Sequence, residues 1–160
     1  MGAHEPNKGL SDEWFTPPEV MESLSCTFDL DPCSPGEDHW IPARKVYTKK
    51  DDGLTQQWDG FVFMNPPFGG RNGVVPWLEK FIDHGNGIGI ARAYTSSWWF
   101  HEYIPDMDYI LFPKGKTNFI RPDGTKGKQP GTGIVLFSIG EKGNTALINS
   151  GLGLIYKNIK

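Results

Sequence analysis

The chain has little from which to build a covalent or metal-bound framework: its 160 residues include two cysteines, Cys26 and Cys33. Two thiols cannot supply the disulfide scaffold of a small secreted domain. Their spacing is not that of a zinc pair either, and His39 as a third ligand would still fall short of the four that structural zinc takes. A reducing compartment and no metal are the expectation. No apolar run approaches the length that crosses a bilayer, and no basic-then-apolar leader stands at the amino terminus, so the reading is a cytoplasmic protein without a membrane partner. A large excess of positive charge is missing as well. A formal charge of −3 and a pI of about 5.8 exclude a protein that wraps nucleic acid with its whole surface, although a local basic face remains compatible. A chain of this length supports one domain with one core, and a second sizeable domain is not expected.

What is present is 38% apolar and 13% aromatic residues, with 20 Gly and 13 Pro, the mixture of a soluble globular protein with many turns and short connections. The stretch Phe61-Val62-Phe63-Met64-Asn65-Pro66-Pro67-Phe68 organises the rest. Its apolar half reads as a buried strand. Asn-Pro-Pro then ends that strand, since proline has no ladder donor, and the last strand position is expected at Asn65. Two fixed φ angles bias Asn65 away from the helical region and display its side chain, the Pro66 carbonyl and the Phe68 ring at the strand's carboxyl end, where open α/β sheets bind ligands. An amide oxygen beside a fixed carbonyl is a pair of acceptors, and Phe68 adds a flat apolar face; together they suit a planar group bearing an exocyclic amine. A plain proline turn with an Asx contact is the alternative.

Along the chain, residues 1–13 are polar and aperiodic and read as a flexible arm. Trp14-Phe15-Thr16-Pro17-Pro18 precedes a helix over about Glu19 to Ser25, with Thr16 as its N-cap and its exposed amino terminus suited to a carboxylate. Thr27 to Asp31 is a short strand that passes through Pro32-Cys33 into Ser34-Pro35-Gly36. Glu37 to Tyr47 shows no helical face, so the crossover there is abbreviated. Arg44 to Thr48 is a further short strand before the turn Asp51-Asp52-Gly53-Leu54, and both Asp31 and Asp52 are open to reading as turn residues. Arg71 lies in a flexible stretch, suited to a phosphate or to solvent. Val74, Trp77, Leu78, Phe81 and Ile82 share a helical face over about three turns, ended by Gly85-Asn86-Gly87, with the aromatics in the core. Ile88 to Arg92 and Tyr109 to Phe112 are buried strands, with a helix from a Ser96 cap to Ile104 between them. Residues 113–133 form a basic loop or hairpin in which Lys114, Lys116, Arg121, Lys126 and Lys128 face Asp123 alone, interleaved with Phe119; the segment suits phosphate tracking, or is a solvated loop. Gly133 to Ile139 closes the sheet, paired antiparallel with a strand near Asn118 to Arg121. For Thr145 to Lys160, strand and helix are not separable.

In this order, Thr16-Pro17, Asp31-Pro32, Asp52-Gly53-Leu54 with Trp58, and Asn65-Pro66-Pro67-Phe68 after an apolar strand, with Phe100-His101 beyond, resemble the phage-type DNA N-6-adenine methyltransferases, a Dam-like family of amino methyltransferases. The match covers roughly Trp14 to Ile139, with the family's glycine-rich run reduced to Ser34-Pro35-Gly36. The resemblance implies an α/β fold over residues 14–160: a Rossmann-like methyltransferase sheet, mostly parallel with an antiparallel hairpin at one edge and abbreviated helices on both faces. It implies S-adenosylmethionine as cofactor, held by Phe15, Thr16 and Pro17, by Asp31, Pro32 and Cys33, and by Asp52, with either Glu37 or Asp38 a candidate to hold its ribose, and DNA as partner. By the same resemblance Asn65, Pro66, Pro67 and Phe68 carry catalysis, Phe68 stacks on a flipped adenine, and the source is a phage or prophage. Arg71, Lys114, Lys116, Arg121, Lys126 and Lys128 are the candidate substrate contacts. Because the acceptor pair serves any planar amine, methylation of a cytosine amine or a protein glutamine is the alternative within catalysis; a catalytically silent nucleic-acid-binding module is the alternative outside it.

Overall fold

The described residues of a computed structural model are 15–36, 39–67, 73–115, 120 and 133–160. They build one seven-stranded sheet with helices on both faces. In chain order the elements are α1 (Pro18–Leu24), β1 (Phe28–Asp31), β2 (Ala43–Val46), β3 (Val62–Met64), α2 (Val75–His84), β4 (Gly87–Arg92), α3 (Trp98–Tyr103), β5 (Tyr109–Pro113), β6 (Ile134–Ile139), α4 (Glu141–Asn149) and β7 (Gly153–Lys157). The strands lie in the order β2-β1-β3-β4-β6-β5-β7.

The sheet is mixed rather than mostly parallel. β2, β1, β3 and β4 pair in parallel, but β6 runs antiparallel to both β4 and β5, and β7 antiparallel to β5. The antiparallel half is therefore three pairings wide, not a single hairpin at an edge. β6 does not close the sheet with residues near Asn118. It sits inside, between β4 and β5, because Ile134 to Ser138 are all buried and a strand apolar on both faces needs cover on each side. Of the segment expected to pair with it, Ile120 is described, and it bridges antiparallel to Phe15 instead.

Two apolar layers flank the sheet. On one face α2 and α3 bury Trp77, Leu78, Phe81 and Trp99 with Trp58, Met64 and Phe137; on the other α1 and α4 bury Val20, Met21, Leu24 and Leu147 with Phe28, Phe63 and Ile90. Each such side chain contributes about 1.5–3 kcal/mol by leaving water. The face expected of α2 is the one buried, and Gly85 caps it in the left-handed region. α1 differs at its start: Pro17 is the N-cap, and no side chain caps the helix. α3 likewise starts from Ser97 rather than Ser96, again without a side-chain cap. The carboxyl-terminal stretch holds both a helix and a strand. α4 carries Gly143, a poor helix former, where a Cβ would stand 2.7 Å from the Gly87 carbonyl oxygen, so glycine lets the helix settle directly on β4. No helix among the described residues is long and apolar enough to cross a membrane.

The strand directions define one functional end. β1 to β5 all point the same way, and the connections leaving two neighbouring strands diverge, from β1 to β2 on one side and from β3 to β4 on the other. Such a divergence opens a crevice beyond the carboxyl ends of β1 and β3.

Candidate active site

β3 ends at Met64, one residue before the expected stop, and Asn65, Pro66 and Pro67 follow as extended chain off its tip. The start of this strand is set from β1: the Asp29 carboxylate accepts the Phe61 N–H at 2.7 Å, which fixes where β3 enters beside Leu30. Asn65 is half-buried, Pro66 buried and Pro67 exposed.

A cavity of about 470 Å³ occupies the crevice between β1 and β3. This is the size of a small-molecule site. Its wall brings together Phe15 and Thr16, Asp31 to Pro35, Asp52 and Gly53, and Asn65 to Pro67, residues spread over more than fifty positions of sequence. Trp77 reaches it from the buried face of α2, so this residue is both core and wall.

Thr16 is only 1% exposed, and it is not a helix cap. Its hydroxyl accepts the Asn65 Nδ2–H at 2.9 Å, while its backbone carbonyl accepts the Trp40 indole N–H at 2.7 Å. The hydroxyl is thus turned across the crevice to β3 rather than along its own helix. α1 has seven residues, and no anion site at its amino terminus is supported.

Asp31, the last residue of β1, is 2% exposed. Among the described residues the only hydrogen bond to its carboxylate is from the Cys33 N–H, at 3.0 Å. Burial pushes its pKa up to about 7, with that N–H opposing the shift in part. With one donor and no cation beside it among the described residues, this buried carboxylate is incompletely matched by them. Cys33 carries the link onward: its thiol accepts the Asn65 backbone N–H, and burial together with the neighbouring Asp31 charge holds that thiol well above its ordinary pKa.

Asp52 stands at the rim, exposed, with a positive φ of 54° and its carboxylate accepting the Leu54 N–H. The 3-10 turn that follows, Gly53–Thr55, is pinned by the buried Trp58, whose indole N–H donates to the Gly53 carbonyl at 2.9 Å. Lys80 donates to the Leu54 and Gln56 carbonyls from below.

Several wall residues were not singled out as binding residues by local sequence reasoning. Trp40 packs edge-on to Phe15, with ring centroids 5.7 Å apart, and closes one side of the cavity. His39 accepts the Ile41 N–H on Nδ1, which leaves Nε2 as its donor, and burial lowers its pKa. Thr48 and Lys49 follow β2. The one available signal was an aromatic in the polar, turn-rich crossover after β1.

The substrate candidates are less completely placed. Lys114 is exposed just past β5, at the same end of the sheet as Asn65 but three strands across. Phe68, Arg71, Lys116, Arg121, Lys126 and Lys128 lie outside the described residues, as do Glu37 and Asp38. Ile120, inside the basic segment, exchanges two backbone hydrogen bonds with Phe15, at 2.7 and 3.0 Å, and this ties the segment's middle to the residue preceding Thr16.

A family model described as DNA N-6-adenine-methyltransferase (Dam) matches residues 4–147. Comparison with curated proteins and with solved structures yields no match.

Proposed function

Because the chain belongs to the DNA N-6-adenine-methyltransferase family, and so to the DNA methyltransferases, we propose that it methylates the exocyclic amine of adenine in DNA, with S-adenosylmethionine as donor. The observation that carries the reading is the shared cavity. A candidate acceptor-holding tip, Asn65-Pro66, and a buried unmatched carboxylate, Asp31, open onto the same 470 Å³ space at the divergence of β1 and β3. That divergence, with five strands pointing one way, also supports assigning the sheet to the Rossmann-like class.

The wall residues fit the donor. Ionised Asp31 is the partner for an ammonium group, since a buried carboxylate lacking a cation gains most from one. Phe15, Trp40 and Ile41 offer apolar surface to an adenosine, and Asp52 at the rim offers an acceptor to its amine. Bound there, the cofactor supplies an electrophilic methyl group on a sulfonium.

The chain's own task is to make a weak nucleophile attack in line. The lone pair of an adenine amine is delocalised into the ring. The Asn65 Oδ1 and the Pro66 carbonyl oxygen accept its two hydrogens, so that the nitrogen pyramidalises and its lone pair is directed into the cavity. Positioning and preorganised acceptors then lower the barrier, and no side chain has to remove a proton before attack. Formation of the N–C bond would break the donor's C–S bond to a neutral thioether, and the methylated nitrogen would then lose one of its hydrogens to water. In a duplex the target base must leave the stack, at a cost of about a few kcal/mol; stacking on Phe68 would offset part of it. Lys114, with Lys116, Arg121, Lys126, Lys128 and Arg71, would hold the phosphates meanwhile.

The test is transfer of labelled methyl from S-adenosylmethionine to an unmethylated duplex, followed by digestion and nucleoside analysis. The expected product is N6-methyladenine; label in cytosine, or none in DNA, overturns the reading. Asn65→Ala is expected to lower transfer by about 10²–10³-fold while binding of the demethylated product, S-adenosylhomocysteine, is retained.

A further inference from the structure

The Thr16 hydroxyl is buried and half-used. It accepts the Asn65 Nδ2–H at 2.9 Å, but among the described residues its own O–H donates to no acceptor, although the residue is 1% exposed and lines the cavity. Buried hydroxyls are normally satisfied, so an unmatched donor facing a cavity marks the place of a ligand acceptor.

The direction of the Thr16–Asn65 bond matters for the chemistry. A carboxamide has one accepting and one donating end. With Nδ2 given to Thr16, Oδ1 is the end that can serve the target amine. If Thr16 instead donated to Oδ1, Asn65 would present its own NH2 to the two hydrogens of that amine, donor against donor. The hydroxyl rotor chooses between these states, and whatever accepts from Thr16 decides the rotor.

We infer that Thr16 is a positioning residue for Asn65, and that an acceptor atom of the bound methyl donor, by taking the Thr16 O–H, locks the Asn65 amide in its accepting orientation. Occupancy of the donor site thereby prepares the base site through one oxygen atom. The two sites also share a second connection, the Asn65 backbone N–H to the Cys33 thiol, which holds the main chain at Asn65 while Thr16 sets the side chain. The inference rests on the proposed donor for its structural consequence and on the proposed methyl transfer for its kinetic one, and thermal stabilisation by S-adenosylhomocysteine first establishes that the ligand binds.

The experiment has a spectroscopic arm and a kinetic arm. In 15N-labelled protein the Asn65 side-chain amide pair is identified by its absence from Asn65→Ala. Titration with S-adenosylhomocysteine is expected to shift this pair in the wild type and in Thr16→Ser, and to leave it unmoved in Thr16→Val, with melting curves confirming that each variant is folded. In single-turnover transfer at saturating cofactor and DNA, Thr16→Val is expected to be slower by about 10–100-fold, and Thr16→Ser to stay within about threefold of wild type. A wild-type amide pair indifferent to the ligand overturns the coupling. So does a Thr16→Val protein whose only defect is a raised cofactor requirement, with an unchanged rate at saturation, because Thr16 would then be a binding contact alone. If the wild type transfers no methyl, the proposed reaction falls, and the titration of the wild type and Thr16→Ser still decides the link between Thr16 and Asn65.

Discussion

The backbone N–H of Asn65, off the tip of β3, donates to the thiol of Cys33, two residues past the tip of β1. Cys33 in turn donates its own N–H to the Asp31 carboxylate at 3.0 Å. One residue thus joins the residue proposed to hold the target amine to the acid proposed to hold the donor's ammonium. The relative placement of the two is linked through Cys33 as well as through the packing of β1 against β3.

Affinity for S-adenosylhomocysteine should depend on pH through Asp31. Its pKa lies near 7 in the ligand-free protein, against 3.8 ordinarily. Below 7 the carboxyl is increasingly protonated and cannot pair with an ammonium group. Binding should therefore weaken as pH falls from 8 to 5, approaching about tenfold per unit, with a proton released on binding near pH 6. Calorimetry in two buffers of different ionisation enthalpy measures both quantities. The stability of the ligand-free fold runs the other way. Because the folded pKa is the higher one, the folded state holds more protons between about 4 and 7, and stability falls as pH rises through that window, by up to about 1.4 kcal/mol per unit. Asp31→Asn should flatten both dependences; a pH-independent affinity in the wild type would remove Asp31 from the donor site.

Gly53 should tolerate no side chain. A Cβ there would stand 2.1 Å from the Pro32 carbonyl oxygen, and the turn cannot retreat easily because Trp58 holds the Gly53 carbonyl. Gly53→Ala is expected to cost about 1–3 kcal/mol of stability and to weaken S-adenosylhomocysteine binding, since displacing the turn moves Asp52 off the rim. Denaturant unfolding and ligand titration check the two effects; unchanged values in both would show that the rim yields at no cost.

Both thiols should be slow nucleophiles in the folded state. Burial pushes Cys26 up to about 11, and burial with the Asp31 charge pushes Cys33 well above its ordinary value. The thiolate is the reactive form, so iodoacetamide at pH 7.5 should label both far more slowly in the native protein than in urea. Intact-mass kinetics follow this directly. Rapid native labelling of Cys33 would contradict a thiol held protonated beside Asp31.

Asp108 should matter to stability far from the cavity. Its carboxylate accepts from the Gly140 N–H at 2.9 Å, Asn144 Nδ2 at 3.0 Å and Lys160 Nζ at 2.7 Å, joining the start of α4 and the carboxyl terminus to the entrance of β5. Partial burial alone would raise its pKa, but these donors outweigh burial and lower it. The stabilisation is present above the ordinary carboxylate range and is lost as pH falls through the lowered pKa. Asp108→Ala is expected to cost about 2 kcal/mol at neutral pH, roughly 4–8 °C in Tm. A thermal melt that does not move would assign the network no net value.

Sequence patterning alone determined the elements with strong local signals. The apolar stretch ending in Asn-Pro-Pro, the amphipathic face of α2 and the short strands at Phe28 and Tyr109 were legible because hydrophobic period and proline stops act within a few residues. The family was legible in the order of Thr16-Pro17, Asp31-Pro32, Asp52-Gly53 and Asn65-Pro66-Pro67. Tertiary structure decided what depends on neighbours distant in sequence. A buried run such as Ile134 to Ser138 shows that it is central but not which strands flank it or in which direction they run. Gly143 hides α4 from propensity because its reason lies in the Gly87 carbonyl across the layer. Thr16 reads locally as a helix cap, and only the closure of the crevice gives its hydroxyl to Asn65, forty-nine residues away. A hydrogen bond is chosen by which partners meet in space, and no window of sequence contains both.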